Sequence, residues 1–499
     1  EMANIRNQCS WVHSNNWDQA TTKAKQLTRM AVGKASKLQP LKIAEVPVNN
    51  AALIIGGGAA GLSAAFTLAD QGFPVHIVER EDKLGGNLKH LHYFVPTNGK
   101  ETQWNPKEYL AEMIYKAKQH PLIHIHLNTE LANTTGFKGN FVSTLKNSHS
   151  FQVEHGIIIV ATGGEEYKGP EYGYGKSDRI VTQLEFEQIL SESSSLSRLP
   201  QSVVMIQCVG PAERFCSRLC CTTALKNALK LKELNPSANI TILYRDIRTY
   251  GFKERLYTKA RAEGIQFIQF EFDDKPDVVI EVGDDHQTIS SKSEILVKIK
   301  EQILGRKITL NPDLLVLSTP VIASKGTRDL ASKLKLSIDM DGFFLEAHVK
   351  LRPVDFSADG IFMAGLAHYP KFLDETIAQA QAAASRAAGI LSQKTMLTNA
   401  RVAVVDPLQC VGCLTCVRIC PYDVPKIKQN YTGVGNIVGA AFIEPAVCHG
   451  CGSCASECPA QAIQLMHYTD AQTIRKLDAL FEGKPSDSPV IPIDLIDVI

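Results

Sequence analysis

Short apolar runs and longer mixed stretches alternate through most of the chain. The run Ala51 to Ile55 meets a glycine cluster, then an Ala-rich stretch from Gly61 to Asp70, then a second apolar run from Val75 to Val78. Four or five apolar residues bounded by turn formers read as a buried strand, and the Ala-rich stretch reads as a helix. Together they predict a β-α-β unit. A helical pattern over Pro106 to Gln119 and strand-like runs at Ile123 to Leu127 and Ile157 to Val160 continue it. The Ser-rich passage Ser191 to Ser197 predicts a linker. A second α/β unit is expected from Ser202: strand Val203 to Gln207, a cysteine-bearing turn, helix Thr222 to Leu234 and strand Ile240 to Tyr244. It reads as an inserted nucleotide-type domain. A strand over Asn311 to Ser318 follows, then Gly360 to Leu366 leads into a helix over Glu375 to Leu391 and returns the chain to the first domain. From about Thr395 cysteine, glycine and proline become dense, and a helix is expected after Thr469, ahead of a Pro-containing tail.

Length changes this picture little: 499 residues exceed one ordinary core, so two or three domains are expected. A formal net charge of +1 offers nothing to a polyanion, which excludes nucleic acid as a partner. No apolar run reaches the roughly 18 residues of a membrane span, and the start lacks a signal-like apolar region, so a cytoplasmic protein is expected. The opening at Glu1, followed by a polar helix-compatible stretch from Trp17 to Lys37, is what a fragment of a longer chain would show. The 13 cysteines lie in tight groups, which suits metal clusters better than a disulfide framework.

Between the first strand and helix, Gly56-Gly57-Gly58-Ala59-Ala60-Gly61 fits Gly-x-Gly-x-x-Gly. Gly56 allows the tight turn, Gly58 lets backbone approach a pyrophosphate, and Gly61 lets the helix pack on the strand, with the helix N-terminus favouring negative charge. Glu79, closing the second strand, is placed to accept from a ribose hydroxyl, with Arg80 beside it. A coincidental Gly-rich turn would not bring strand, helix and acid into register. Gly85-Gly86-Asn87, Ala161-Thr162-Gly163 and Gly360-Ile361-Phe362-Met363-Ala364-Gly365 resemble segments of the two-dinucleotide flavoproteins, and this resemblance favours FAD over NAD. Leu366 departs from that pattern, which has an Asp for the ribityl chain there. The contact is then expected from the helix beginning near Thr376.

Cys410, Cys413, Cys416 and Cys420-Pro421, and again Cys448, Cys451, Cys454 and Cys458-Pro459, are two full copies of the bacterial ferredoxin run. Thiolate is a soft ligand suited to iron, and in two-cluster ferredoxins the fourth Cys serves the other cluster. One [4Fe-4S] cluster is therefore assigned Cys410, Cys413, Cys416 and Cys458, the other Cys448, Cys451, Cys454 and Cys420. A zinc site would need no repeated fourth Cys followed by Pro. A third group, Cys208, Cys216, Cys220 and Cys221, stands where a pyridine-nucleotide reductase carries its second Gly-rich loop, and only Gly210 remains of that loop. These four suggest a further [4Fe-4S] cluster near the flavin; a redox disulfide such as Cys216 with Cys221, or buried free thiols, are the other readings. Cys9 is left over, as a ligand shared with another chain or domain or as a packed thiol.

Over nearly its whole length the chain resembles the A-type subunits of heterodisulfide reductase, on Asn7-Gln8-Cys9-Ser10-Trp11-Val12-His13, the Gln207 to Cys221 group, Tyr244-Arg245-Asp246-Ile247-Arg248-Thr249-Tyr250-Gly251 and Glu375-Thr376-Ile377-Ala378-Gln379-Ala380. The resemblance implies an α/β fold with a two-dinucleotide-binding, thioredoxin-reductase-like flavoprotein core and a C-terminal α+β two-cluster ferredoxin domain. It also implies an oxidoreductase that passes or bifurcates electrons at FAD. The expected partners are B and C subunits of that type, a donor module (hydrogenase, formate or NADH dehydrogenase), ferredoxin and a second copy in a homodimer. A lysine in the family lies beside flavin N5, which points to Lys226. Five residues on from Cys221, it has turned to within about 140° of that side chain on the helix. The domains expected are a helical segment or linker at 1–48, the FAD-binding domain at 49–200 and 321–394, the inserted domain at 201–320, the ferredoxin domain at 395–470 and a helix and tail at 471–499. The amino-terminal cluster domain and inserted ferredoxin of many members are missing from this sequence, as in a truncated or a reduced bacterial-type subunit. The flavin subunit of a quinone-interacting complex of sulfate reduction, a stand-alone NAD(P)H-dependent disulfide reductase, and an electron-carrying scaffold with an inert flavin are the alternatives.

Overall fold

A computed structural model describes residues 1–41, 43, 45–95, 105–192, 199–281 and 294–482. The chain divides into two compact units, Pro47–Lys394 and a second made of Glu1–Val46 with Thr395–Ile499.

The larger unit contains two lobes of one design. In the first, five parallel strands lie in the order Ile361–Met363, Ile157–Val160, Ala52–Ile55, Val75–Val78, Ile123–His126. All four residues of Ile157–Val160 are buried, because helices and strands cover both faces of a parallel sheet and an unbroken apolar run suits such a strand. On one face, helix Ala59–Ala69 packs on helix Leu373–Leu391 through buried alanines, among them Ala64, Ala65, Ala380, Ala383 and Ala384. On the other lies a three-stranded antiparallel sheet, Glu130–Phe137, Asn140–Lys146 and Ser150–His155.

The second lobe repeats this with strands Ile180–Thr182, Leu314–Leu317, Ser202–Ile206, Asn239–Tyr244 and Gln266–Gln269, all parallel. Helices Gln183–Glu192 and Cys220–Leu234 cover one face. Antiparallel strands Asp277–Glu281, Glu294–Glu301 and Arg306–Leu310 cover the other. Antiparallel strands Gly164–Glu166 and Val321–Ala323 join the lobes. The sequence boundary at 201 differs from this arrangement, since Ile180–Thr182 already belongs to the second sheet through its register with Leu315 to Leu317. Its three residues are too few to show a period. In the Ser-rich passage, Ser191 and Glu192 end a helix, and residues 193–197 lie outside the described residues, as does the tail from 483.

In the smaller unit, helix Trp17–Ala35 packs on helix Asp470–Phe481. A Cβ on Gly33 would stand 2.6 Å from that of Ala479, so the helices meet where one has no side chain. Lys34 is buried, paired with Glu1 at 2.9 Å and 4.0 Å from the Tyr468 ring centre. Residues 1–41 and 471–482, from segments expected as separate, thus fold largely together, for a reason local periodicity does not carry. Two antiparallel pairs, Ala403–Val405 with Ile463–Leu465 and Lys426–Thr432 with Val438–Phe442, and short helices Thr415–Ile419 and Ser453–Ser456 make an α+β module. Among the described residues no helix is long and apolar enough to cross a membrane.

Candidate functional site

Each glycine of the first loop has a separate steric cause. Gly56 has φ +112°, and a Cβ there would meet the Ala161 carbonyl at 2.3 Å. A Cβ on Gly61 would come within 1.9 Å of the Gly56 carbonyl, which fixes how closely helix and turn pack. Gly58 differs: a Cβ would meet only the Gly86 Cα at 3.7 Å, so its backbone faces open space at the helix start. Glu79 is buried, its carboxylate accepting from the Gly57 amide at 2.8 Å and the Glu81 amide at 3.0 Å. It therefore holds the turn, with lone pairs left for a ligand hydroxyl.

A cavity of about 1450 Å³ opens above this turn, lined by Gly56, Gly58, Ala60, Glu79, Arg80, Gly86, Asn87, Ala161, Thr162, Gly163, Leu366 and Thr376 among others. Arg80 donates to the Lys325 carbonyl at 3.0 Å, and Asn87 to the Gly164 carbonyl at 2.8 Å. Gly365 stands just behind the lining, where a Cβ would meet that of Ala60 at 2.7 Å. The Thr162 hydroxyl is buried without a protein partner, and Gly163 has nothing within 4 Å of where a Cβ would point. A dinucleotide fits this cradle of open glycines and an unanswered hydroxyl. Lys371 also lines the cavity and donates to the Gly365 and Tyr369 carbonyls at 2.7 Å; burial brings its ammonium down to about 7.

Lys226 reaches this cavity but not as a solvated helix residue. It is 7% exposed, 2.5 Å from the fully buried Glu187 and 3.0 Å from the Tyr93 carbonyl. Burial lowers its affinity for a proton, and Glu187 opposes that. Glu187 also accepts from the amides of His92 at 2.6 Å and Tyr93 at 2.9 Å. Sequence reasoning missed Glu187, which in the string Gln-Leu-Glu-Phe-Glu is one acid of an ordinary amphipathic helix.

The third cysteine group forms a second, smaller site. Cys208, Cys216, Cys220 and Cys221 all line one cavity of about 200 Å³, at the end of strand Ser202–Ile206 and the start of helix Cys220–Leu234. Cys208 takes φ +60°, a strained choice for a side chain and one that turns the loop back on itself. Burial and then the neighbouring thiols push the Cys220 proton affinity up, and burial holds Cys221 at about 12. The Gln207 amide, 1% exposed, has neither nitrogen nor oxygen partnered, and the Thr222 and Thr319 hydroxyls and Arg218 Nε are buried and equally unanswered. Such groups cost about 1–3 kcal/mol each unless something else bonds them; of these Arg218 lines the cavity itself, and with the four thiols it makes a void that fits a polar or metal-sulfide guest. Cys220 and Ser217 line both this void and the large cavity.

In the ferredoxin-like module the fourth cysteine of one run sits with the first three of the other. Cys410, Cys413, Cys416 and Cys458 line one cavity of about 20 Å³. Cys454 has Cys448, Cys420 and Cys451 as the thiols that most raise its affinity for a proton, after burial, to about 11. Backbone amides aim at sulfur: Ala441 at Cys410 (3.4 Å), Ala403 at Cys448 and Val424 at Cys420 (both 3.5 Å). Exposed Cys413 and Cys451 donate to Thr415 and Ser453 at 3.4 and 3.6 Å, equivalent places in the two runs. Among the described residues no three His, Cys, Asp or Glu side chains converge to hold a single metal ion. Cys9 is buried and donates to the Ala20 carbonyl at 2.8 Å.

Residues 54–107 match the family described as NAD(P)-binding Rossmann-like domain, and residues 409–462 the 4Fe-4S dicluster domain. Among solved structures, the thioredoxin reductases of T. acidophilum and Lactococcus lactis are each 19% identical. They cover 68% of this chain and 96% and 98% of their own, with TM-scores of 0.46 and 0.48. Of curated proteins, one of the A-type iron-sulfur subunits of CoB-CoM heterodisulfide reductase in Methanopyrus kandleri is 32% identical over 583 residues, covering 96% of this chain and 84% of that one. The A-type iron-sulfur subunit of the same reductase in Methanocaldococcus jannaschii is 32% identical over 97% of this chain and 85% of its own. The A-type subunit of the H(2):CoB-CoM heterodisulfide,ferredoxin reductase of Methanothermobacter marburgensis is 30% identical over 87% and 78%. With a Rossmann-like dinucleotide fold, a 4Fe-4S dicluster module and this identity along nearly its whole length, the chain is an oxidoreductase that belongs to the family of heterodisulfide reductase A-type subunits.

Proposed function

We propose that this chain is the FAD- and iron-sulfur-bearing electron-transfer subunit of a heterodisulfide-reductase-type complex. It takes electrons from a donor module (hydrogenase, formate or NADH dehydrogenase) and delivers them to ferredoxin and to a disulfide-reducing partner of the B and C type. FAD supplies the conversion between electron pairs and single electrons. The loop Gly56 to Gly61 takes the pyrophosphate, Glu79 the ribose, and Thr162 and the backbone at Gly163 and Gly365 the rest of the cofactor. Cys208, Cys216, Cys220 and Cys221 hold one [4Fe-4S] cluster, and the crossed sets of the ferredoxin module hold two. Lys226, kept in place by Glu187 and the Tyr93 carbonyl, presents a cation to the flavin cavity.

The observation that carries this reading is that Cys220 lines both cavities at once, so a cluster held there has one ligand in the wall of the flavin site. Iron, sulfide and flavin analysis of anaerobically purified protein tests it. One FAD with twelve irons is expected, and Cys220→Ala should hold eight irons with its FAD intact. Twelve irons in Cys220→Ala, or eight in the wild type, would remove the third cluster from the route.

A further inference from the structure

Strand Asn239–Tyr244 runs parallel to strand Ser202–Ile206 and in register with it, so the residues following each meet at the carboxyl end of the sheet. In the first lobe the residue at this place is Glu79, an acid that holds the glycine turn. In the second lobe it is Arg245, followed by Asp246 and Arg248, and this string closes over the thiols. The Asp246 carbonyl accepts from Cys221 at 3.6 Å, and the Arg248 side chain lies against Cys216. Arg245 and Arg248 both line the cavity that the four thiols line.

These two are not equal. Arg248 is 62% exposed and paired with Asp246 at 2.9 Å, so solvent and a carboxylate cancel much of its charge. Arg245 is half-buried, lies 5.0 Å from the centre of the Phe272 ring, and has no carboxylate within ion-pair reach among the described residues. A thiolate-bound iron-sulfur cluster is negative and gains one more negative charge on reduction, so an uncompensated cation beside a ligand favours the reduced form. Net charge and hydrogen bonding to sulfur are established levers on such potentials.

The geometry points to Arg245 as the residue that raises the reduction potential of the four-thiol site, acting across the cavity it shares with those thiols as a positioning residue, with Arg248 as a weaker second. The inference rests on the reading that Cys208, Cys216, Cys220 and Cys221 hold a cluster. The place that reads a ribose in the first lobe sets a redox potential in the second.

The test is iron analysis with potentiometry followed by electron paramagnetic resonance on the full chain, loaded with FAD and clusters, as wild type, Arg245→Gln, Arg245→Lys and Arg248→Gln. Arg245→Gln should keep twelve irons and lower one of three cluster midpoints by about 59 mV, a tenfold change for one electron. Arg245→Lys should restore it, and Arg248→Gln should lower the same midpoint by less. Twelve irons with all three midpoints unmoved in Arg245→Gln overturns the inference and leaves the ligand assignment standing. Eight irons in the wild type overturns both. Should Arg245→Gln lose its iron, Arg248→Gln decides: an unmoved midpoint there overturns the inference, and a lowered one upholds it.

Discussion

The two lobes of the larger unit start from one plan and answer it with opposite chemistry. In the first, three residues, Gly56 to Gly58, join strand to helix, and the absence of side chains leaves backbone open to a phosphate. In the second, residues 207–219 join the equivalent strand and helix, and thiols stand where backbone was bare. The acid after the next strand becomes an arginine. The fold therefore fixes where a ligand sits, at the carboxyl ends of parallel strands. The loop fixes whether bare backbone or a group of thiols lines that place.

The strongest way to break this contrast is to add one methyl group to each lobe. Gly56→Ala puts a Cβ 2.3 Å from a backbone carbonyl at φ +112°, where nothing flexible can give way, so the protein should lose its flavin and much of its stability. Gly210→Ala is also strained, at φ +63°, but its Cβ meets the Tyr167 ring, which can rotate away. Flavin content after desalting should fall several-fold in the first variant and stay near wild type in the second. Equal loss in both would mean that the loop at Gly210 also shapes the flavin site.

Next in size is the response to NADH and NADPH. If the second loop has exchanged nucleotide binding for thiols, neither should bleach the flavin absorbance of the isolated chain in rapid mixing. Gly210 alone cannot build the pyrophosphate turn, and the Tyr167 ring occupies the space beside it. Fast bleaching by either nucleotide without a partner protein would restore the second lobe to the reductase plan.

How far the contrast can be read from residues alone depends on the range of the interaction involved. The Gly loop, both ferredoxin runs and the strands Val75–Val78 and Ile157–Val160 are legible because their causes lie within a few positions. The partner of Lys226 is not, since Glu187 lies 39 residues away and meets it only when two helices pack. Nor are the antiparallel covers, such as Glu130–Phe137. Its outward face carries asparagine and threonine, so its apolar alternation is weak. The packing of Trp17–Ala35 on Asp470–Phe481 spans nearly the whole chain and rests partly on one missing side chain, that of Gly33.

A smaller difference between the lobes concerns acid. His155 is fully buried between the Ser143 hydroxyl and the Ile157 carbonyl, and burial holds its pKa at about 4. His76, 3.1 Å from His126 and stacked on His124, is also held at about 4, by burial and then by those two rings. Folding keeps these imidazoles neutral while the unfolded chain protonates them, so their contribution is fully present above about pH 6.5 and is lost as pH falls toward 4. The second lobe, residues 164–323, has no histidine among its described residues. Thermal unfolding followed by flavin release should therefore drop in midpoint between pH 6.5 and 4, and His155→Gln should flatten that slope. A slope unchanged in His155→Gln would place the acid sensitivity elsewhere.

The smallest effect, and the one that joins the lobes, belongs to Lys226. Its helix starts at the four-thiol site, while its ammonium bonds the Tyr93 carbonyl of the first lobe and a carboxylate of the second. A purely structural pair and a flavin-tuning cation make different demands on the same variant. Removing one partner of a buried pair costs roughly 3–5 kcal/mol, so Lys226→Ala alone would destabilise the protein under either role. Replacing both charges, Lys226→Gln with Glu187→Gln, keeps neutral hydrogen-bonding groups in place and leaves no buried ion. A cation facing the flavin cavity favours the anionic reduced cofactor, and one pK unit of such preference is about 1.4 kcal/mol. Lys226 lines the flavin cavity and Glu187 does not, so the carboxylate offsets part of that charge, and potentiometric titration of the double variant, with FAD fully bound, should show a flavin potential lowered by less than that. An unmoved potential would make Lys226 and Glu187 a strut between the lobes and nothing more.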